Sequence, residues 1–507
     1  MDIQFQEAQA AEGQAGVLLV PLFQGEDAAP AVRALGRGAS WLTGHMGLED
    51  FRAEAGKLLL LHGGRKGSVR VLLAGLGRRE DFTPKVLGMA MAAAAKRLSG
   101  HKLARPALRL ESLRALRLAG RGMREHLLEE AVLGARLGLY AHTACKSAAE
   151  GEDAPFLPER MDLLYTRPPS AEEQRALRRA LSLAEGICLA RDLINGPANQ
   201  VTPRYLEETA AALAGRHGFG FRSHDQEYLR ANGLNAFLAV SLGAAAEPRL
   251  LVLEYAPPGT KGEDPVILLG KGITFDSGGI SLKPAAGMER MKSDMAGAGA
   301  VLGLFAALGA GAKDFCRKRV IGLLPCTENM PGGRASRPGD VVKTLSGKTV
   351  EIVNTDAEGR LILCDCLTLA QNMARPAALI DIATLTGACV VGLGEKTAGL
   401  FSNDPRLRDK LLELAARNGE RFWPMPIWDE DLKTLTEKSA ADISNTGPRE
   451  GGASFAALFL KQFVDKTTPW AHLDIAGPAF QSLETPTLPG GGAVGFGLRT
   501  LLDFVLE

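Results

Sequence analysis

Histidine is scarce in this chain. Eight occur among 507 residues, and none stands in an H-E-x-x-H arrangement, which excludes a histidine-based zinc protease of that type. Disulfide signals are missing as well. The seven cysteines, Cys145, Cys188, Cys316, Cys326, Cys364, Cys366 and Cys389, are odd in number and form no C-x-x-C pair. They read as buried free thiols of a reducing compartment. Cys364-Asp365-Cys366 lacks histidine partners and is a weak signal for a soft metal. No apolar run reaches the roughly 20 residues of a membrane-spanning helix; the best, Ala300 to Ala312, is short and rich in glycine. Met1 to Glu7 has neither the basic start nor the apolar run of a signal peptide, so a cytoplasmic location is expected. The formal net charge is only +1, which provides no general attraction to nucleic acid and no acidic tail. Nucleotide and serine-hydrolase motifs are absent too. Gly347-Lys348-Thr349 would need a glycine where Val342 stands to complete a P-loop. Gly75-Leu76-Gly77 and Gly297-Ala298-Gly299 do not extend to G-x-G-x-x-G, and there is no G-x-S-x-G elbow.

What is present is an ordinary globular composition, 46% hydrophobic and 23% charged, on a chain too long for one core. Two domains are expected: an N-terminal α/β domain over 1–168, a connecting helix over 169–194, and a larger catalytic α/β domain over 195–507. In the first, Val17 to Phe23, Lys57 to Leu61, Val69 to Leu76, Ala107 to Leu113 and Met161 to Tyr165 read as strands, the second and third split by a Gly/Lys turn. Lys85 to Leu98 and Glu125 to Lys146 read as helices, and Ala148 to Pro158 as a loop. Ser170 and Glu173 form a capping box that opens the connector. In the second, Arg249 to Tyr255, Val266 to Gly270, Val320 to Pro325 and Ala378 to Ile382 are continuous apolar runs, as strands buried on both faces require. The implied fold is a mixed, mostly parallel sheet flanked by helices.

Chemistry concentrates at two stretches. Asn354-Thr355-Asp356-Ala357-Glu358-Gly359-Arg360-Leu361 follows a β-like run, Thr349 to Val353, and precedes a helix-like run from Leu361 to Ala370. Gly270 to Pro284 places Lys271 and Asp276 in a glycine-rich loop after a strand, with Lys283 following and Asp294 at the start of the next helix. Strand ends are where open α/β sheets carry their chemistry. Asp276 or Asp294 alone reads as a surface group. Together, three aspartates, Glu358, two lysines and Arg360 make a set of hard oxygen donors that suits divalent cations, and bridging carboxylates can hold a metal pair that activates water.

The segment Asn354 to Leu361 resembles the signature of the leucyl aminopeptidases of the cytosol aminopeptidase family. Gly270 to Pro284, Met291 to Gly297, Glu328 to Pro331, Arg337 to Asp340, Asp381 to Ala388 and Trp470 to Gly477 resemble the same family in the same order. The resemblance spans most of the chain from Arg191 onward; the N-terminal domain resembles it only in α/β character. It implies a metal-dependent aminopeptidase with two divalent ions per subunit, Zn or Mn, with Mg or Co also acceptable. It implies that Lys271, Asp276, Asp294, Asp356 and Glu358 are the metal ligands, Asp276 and Glu358 bridging, Lys271 and Asp294 completing one site, and Asp356, partly through its backbone carbonyl, serving the other. Lysine can serve only when neutral, a state that burial beside a cation favours. Lys283 is then the electrophile at the scissile carbonyl. Arg360 holds a bicarbonate as general base, its fork suiting a planar anion. Met291, Thr384, Gly387, Ala476 and Ala479 line the pocket for a leucine-like first side chain of the peptide substrate.

The resemblance also implies a homohexamer, a dimer of trimers. Some relatives bind DNA, which the charge here does not support. Two departures stand out. Cys364 and Cys366 replace small residues, and Ala493-Val494-Gly495 lacks a hydroxyl. Rival readings are a dinuclear phosphoesterase or dipeptidase on a similar sheet, and an architectural DNA-binding protein.

Overall fold

The structure, a computed structural model, describes residues 1–11, 16–26, 51–62, 70–116, 123–147, 156–260 and 262–507. The chain divides into two compact units, Met1–Ala184 with Leu483–Gly491, and Glu185–Ser482 with Gly492–Glu507. The division falls inside one helix, Ala171–Asn195. Its start carries the expected capping box: the Glu173 N–H donates to Ser170 Oγ at 3.2 Å, and the Ser170 N–H to Glu173 Oε2 at 2.9 Å.

In the first unit six strands, β1 (Asp2–Glu7), β2 (Val17–Leu22), β3 (Leu58–Leu61), β4 (Arg70–Gly75), β5 (Pro106–Arg109) and β6 (Arg160–Tyr165), form a sheet of order β1-β6-β5-β2-β4-β3. Every pairing is parallel except the β3 edge. Helices α1 (Pro84–Gly100) and α2 (Met123–Leu137) meet through glycine: a Cβ on Gly134 would stand 2.1 Å from the Gly88 carbonyl oxygen. Two expectations change here. The strand read over Ala107 to Leu113 stops at Arg109, and Leu110–Ala115 is helical; its buried residues Leu110 and Leu113 are three apart, a helical spacing. The helix read over Glu125 to Lys146 ends at Leu137. Val69, the turn before it and the loop residues 148–155 lie outside the described residues.

The second unit holds a nine-stranded sheet. Its strands are β7 (Gly220–His224), β8 (Arg249–Tyr255), β9 (Val266–Gly270), β10 (Gly272–Asp276), β11 (Val320–Asn329), β14 (Ala378–Ala383), β15 (Thr397–Ser402), β16 (Arg421–Pro424) and β18 (Trp470–Asp474). The order is β16-β15-β18-β14-β9-β11-β8-β7, with β10 beside β11. The centre is parallel: β18 on β14, β14 on β9, β9 on β11. A small separate sheet joins β12 (Asp340–Lys343), β13 (Thr349–Ile352) and β17 (Ile443–Ser444). Both faces of β9 and β14 are buried, which explains their unbroken apolar sequences. Helix α4 (Ala296–Gly309) is apolar all round and buried over nearly its whole length, the pattern of a core helix. With the turn before it, Met288–Gly309 is long and apolar enough to cross a membrane, yet it is packed inside this unit.

Three local readings around the chemistry also change. Gly272–Asp276, expected as loop, is β10. Gly272 lets it lie against β11, where a Cβ would meet the Pro325 carbonyl oxygen at 2.7 Å. Asp294 lies in a 3-10 turn, Met288–Met295, just ahead of α4. Helix α5 runs over Glu358–Met373, so Glu358 and Arg360 are on the helix rather than before it. No disulfide joins the cysteines among the described residues; five are buried as expected, whereas Cys188 is half-buried and Cys145 exposed.

Candidate metal centre

Parallel strands deliver their C-terminal ends to one edge of a sheet. Here β9 ends into Lys271, β10 at Asp276, β14 into Thr384 and β18 at Asp474. β13 leads into Asp356 and the first turn of α5. Glycines let these ends converge. Gly359 lies against Lys271, whose Cε and Nζ would each be 2.7 Å from an added Cβ; Gly278, at φ 86°, faces Asp356 Oδ1 at 2.8 Å from such an atom.

The seven charged residues expected from the sequence meet in space as a cluster and its neighbour. Lys271 Nζ donates to Glu358 Oε1 at 2.7 Å and to the Thr384 carbonyl at 2.9 Å, and lies 2.8 Å from Asp294 Oδ2. Lys283 Nζ lies 2.8 Å from Asp276 Oδ2 and 2.5 Å from Asp356 Oδ1. Asp276, Asp356 and Glu358 each bring one oxygen to within 4.8 Å of the others. Asp276 Oδ1 is held by the Gly278 N–H and by Asn329 Nδ2, both at 2.9 Å. The Lys271 side is closed, with that side chain 2% exposed, while Lys283 and Asp356 reach solvent at 21% and 32%.

Four carboxylates thus share two ammonium groups. Burial, with the neighbouring Glu358 charge, holds Asp276 and Asp294 above the ordinary carboxylate range; burial and Asp276 do the same to Asp356. Burial alone would favour neutral lysine. The carboxylates around Lys271 (Asp294, Glu358, Asp276) and around Lys283 (Asp276, Glu358) outweigh it and raise both. Glu358 Oε2 is buried and has no hydrogen-bond partner among the described residues. A buried acceptor left unpaired within an excess of negative charge is what a divalent cation would satisfy, and the donor set fits one.

Arg360 lies beside this cluster and joins no ion pair among the described residues. It is 8% exposed. Its Nη1 donates to the Asn445 carbonyl at 2.6 Å, and its buried Nε has no partner among the described residues. Burial pulls its pKa down to about 10.

Of the residues expected to line a side-chain pocket, Thr384 is tied to the cluster through Oγ1, which donates to Asp294 Oδ1 at 2.8 Å. Met291 and Ala476 are half-buried, Gly387 is exposed and Ala479 is buried. Asp474, to which no role was assigned from the sequence, joins the loops that carry Thr384, Gly387 and Ala476. Its Oδ1 accepts from the N–H groups of Leu385, Thr386 and Ala476 at 3.2, 3.4 and 3.1 Å, and its Oδ2 from Thr386 Oγ1 at 2.7 Å. Asn329 and Asn445 were likewise not singled out. His472, remote from both motifs in sequence, is fully buried, with Nδ1 2.5 Å from Asp381 Oδ1. Burial lowers its pKa, but Asp381 raises it to a net value above the ordinary one, with Arg360 acting against that rise.

A two-domain α/β chain with oxygen donors and lysines converging at the strand ends of a mostly parallel sheet belongs to the class of metal-dependent hydrolases. The profile of the cytosol aminopeptidase family's catalytic domain matches residues 188–502, and that of the family's N-terminal domain matches 19–149. The "Probable cytosol aminopeptidase" of Nitratidesulfovibrio vulgaris is 48% identical over 515 residues, covering 100% of this chain and 99% of that protein. Among solved structures, a variant of tomato leucine aminopeptidase superposes with a TM-score of 0.82 at 30% identity, over 100% of this chain and 96% of that one. The bottromycin maturation enzyme BotP in complex with Mn gives 0.81 at 34% identity, over 97% and 99%. The chain belongs to the cytosol aminopeptidase family, and is a metal-dependent aminopeptidase.

Proposed function

We propose that the chain releases N-terminal residues, leucine-like ones preferred, from peptides, using two divalent ions and a bicarbonate. The observation that carries this is the convergence of Asp276, Asp356 and Glu358 within 4.8 Å, with Lys271 and Lys283 among them. When bound, the two ions, Zn or Mn with Mg or Co as alternatives, supply Lewis acidity and an acidified water, and bicarbonate supplies a general base. Asp276 and Glu358 would hold both ions, with Lys271 and Asp294 serving one of them and Asp356 the other. Lys271, protonated among the carboxylates, could act as a ligand only as the neutral amine, which a cation in place of its charge would favour. Lys283, on the solvent-reached side, keeps its proton and polarises the scissile carbonyl. Arg360, buried and in no ion pair among the described residues, would hold the bicarbonate. Met291, Thr384, Gly387, Ala476 and Ala479 shape the pocket for the first side chain, small or apolar groups suiting an aliphatic residue.

The family resemblance extends the proposal to a homohexamer working in the cytoplasm. The net charge of +1 gives DNA binding no support. The test is to strip metal with a chelator, restore Zn or Mn singly, and assay a leucyl anilide beside a phosphate monoester. Anilide cleavage that returns with about two metal equivalents is expected on two-metal grounds. Cleavage of the ester alone would overturn the reading.

A further inference from the structure

Among the described residues no carboxylate pairs with Arg360, so its orientation has to come from elsewhere. Its one described hydrogen bond runs to the backbone carbonyl of Asn445, 85 positions away in sequence. Asn445 is fully buried and uses every polar atom it has. Its side-chain Oδ1 accepts from the N–H groups of Val353 and Asn354 at 2.9 and 3.2 Å. Its Nδ2 donates to the Asn354 carbonyl at 2.7 Å. Its own N–H donates to the Glu351 carbonyl at 2.9 Å, continuing the β13–β17 pairing. Asn354 then passes the constraint on, since its Oδ1 accepts from the Asp356 N–H at 2.9 Å. One side chain therefore fixes the strand end that carries Asp356, while the same residue's carbonyl fixes the guanidinium of Arg360.

We infer that Asn445 is a positioning residue of the centre: it sets the separation and aim of Arg360 relative to Asp356, so that an anion on the arginine fork stands correctly beside the metal-binding carboxylates. The inference rests on the proposed anion role of Arg360. A carboxylate partner could not do this work, because it would neutralise the fork and occupy the place of the anion; a backbone carbonyl orients a guanidinium and leaves its charge available. Groups that hold active-site ligands from behind are commonly worth about 10- to 100-fold in affinity or activity.

The test uses the full-length, metal-loaded protein and its metal-free form, with bicarbonate as the probe. In Asn445→Ala, the bicarbonate concentration for half-maximal activation should rise about 10- to 100-fold, kcat at low bicarbonate should fall, KM for a leucyl anilide should hold, and metal content should stay at the parent's value. The thermal shift that bicarbonate produces in the metal-free parent should be lost. Asn445→Ser places no charge near Arg360 and leaves a hydroxyl that can take up part of the hydrogen bonding, so it covers the case where the alanine variant does not fold; it should show a smaller shift in the same direction. Arg360→Ala is the control and should not respond to bicarbonate at all. If Arg360→Ala is unresponsive while both Asn445 variants respond as the parent does, the positioning role is wrong and the anion role stands. If Arg360→Ala itself responds as the parent does, the anion role falls and the positioning role falls with it.

Discussion

Replacing Glu358 by alanine separates two things this side chain does. In the structure Oε1 accepts from Lys271 at 2.7 Å and Oε2 has no partner. Lys271 would keep Asp294 at 2.8 Å and the Thr384 carbonyl at 2.9 Å, so its ammonium is not stranded. What is lost is one charge-assisted hydrogen bond, about 1.5–3 kcal/mol. Part of that returns, because the Glu358 charge helps to push Asp276 and Asp294 above the ordinary carboxylate range. The metal-free variant should therefore unfold at a free energy lower by about 2 kcal/mol or less. Turnover should suffer far more. In its proposed role as a bridging ligand the carboxylate would place metal charge worth several kcal/mol in the transition state, and at 1.36 kcal/mol per decade about 4 kcal/mol is a 10³-fold fall in kcat. Leucyl anilide hydrolysis, metal analysis and denaturant unfolding on one preparation give all three quantities. A variant with near-parental kcat and its full metal content would refute the bridging assignment. An unfolded variant would refute the energy argument.

Gly359→Ala should disturb the same place sterically. The added Cβ would stand 2.7 Å from Lys271 Cε and Nζ, so denaturant unfolding should show a loss of about 1–3 kcal/mol, as overpacking does elsewhere, despite the gain in helix propensity. Asp365 offers a pH test away from the metal centre. Burial pushes its carboxyl up to about 7, against the pull of the Leu345 and Phe237 N–H groups. A folded-state value above the unfolded one means the stabilising contribution is full below about pH 4 and is lost as pH rises through about 7. Asp365→Asn cannot ionise, so the parent should lose stability relative to it across that window, by on the order of 4 kcal/mol at 1.36 kcal/mol per pH unit. A flat difference in unfolding midpoints from pH 4 to 8 would contradict this.

The carboxylate motif was legible because its parts are close in sequence. Asp356, Glu358 and Arg360 are two apart, and a strand before them and a helix after them mark a sheet edge whatever else the chain does. Lys271 and Asp276 were legible for the same reason, although the segment between them is a strand. Gly272 looked like a loop residue, whereas it serves close approach to β11. Ala107 to Leu113 misled in another way: alternation over the first few residues runs into Leu110 and Leu113, whose spacing is helical. Asn445 and Asp474 carried no local signal as positioning groups. A buried asparagine and a buried aspartate acquire that role mainly through donors and acceptors 85 or more residues away.

Sequence alone determined the donor chemistry and the family, and with them a metal-dependent aminopeptidase on an α/β sheet. Those follow from residue types, short spacings and apolar runs, which are local properties. Tertiary structure decided how the charges are shared. It put Lys271 between Asp294 and Glu358, Lys283 between Asp276 and Asp356, and left Arg360 with a carbonyl instead of a carboxylate. Ion pairing and desolvation depend on ångström separations and on burial, and here the parallel pairing of β9, β11, β14 and β18, with Asn445 joined to the end of β13, sets both.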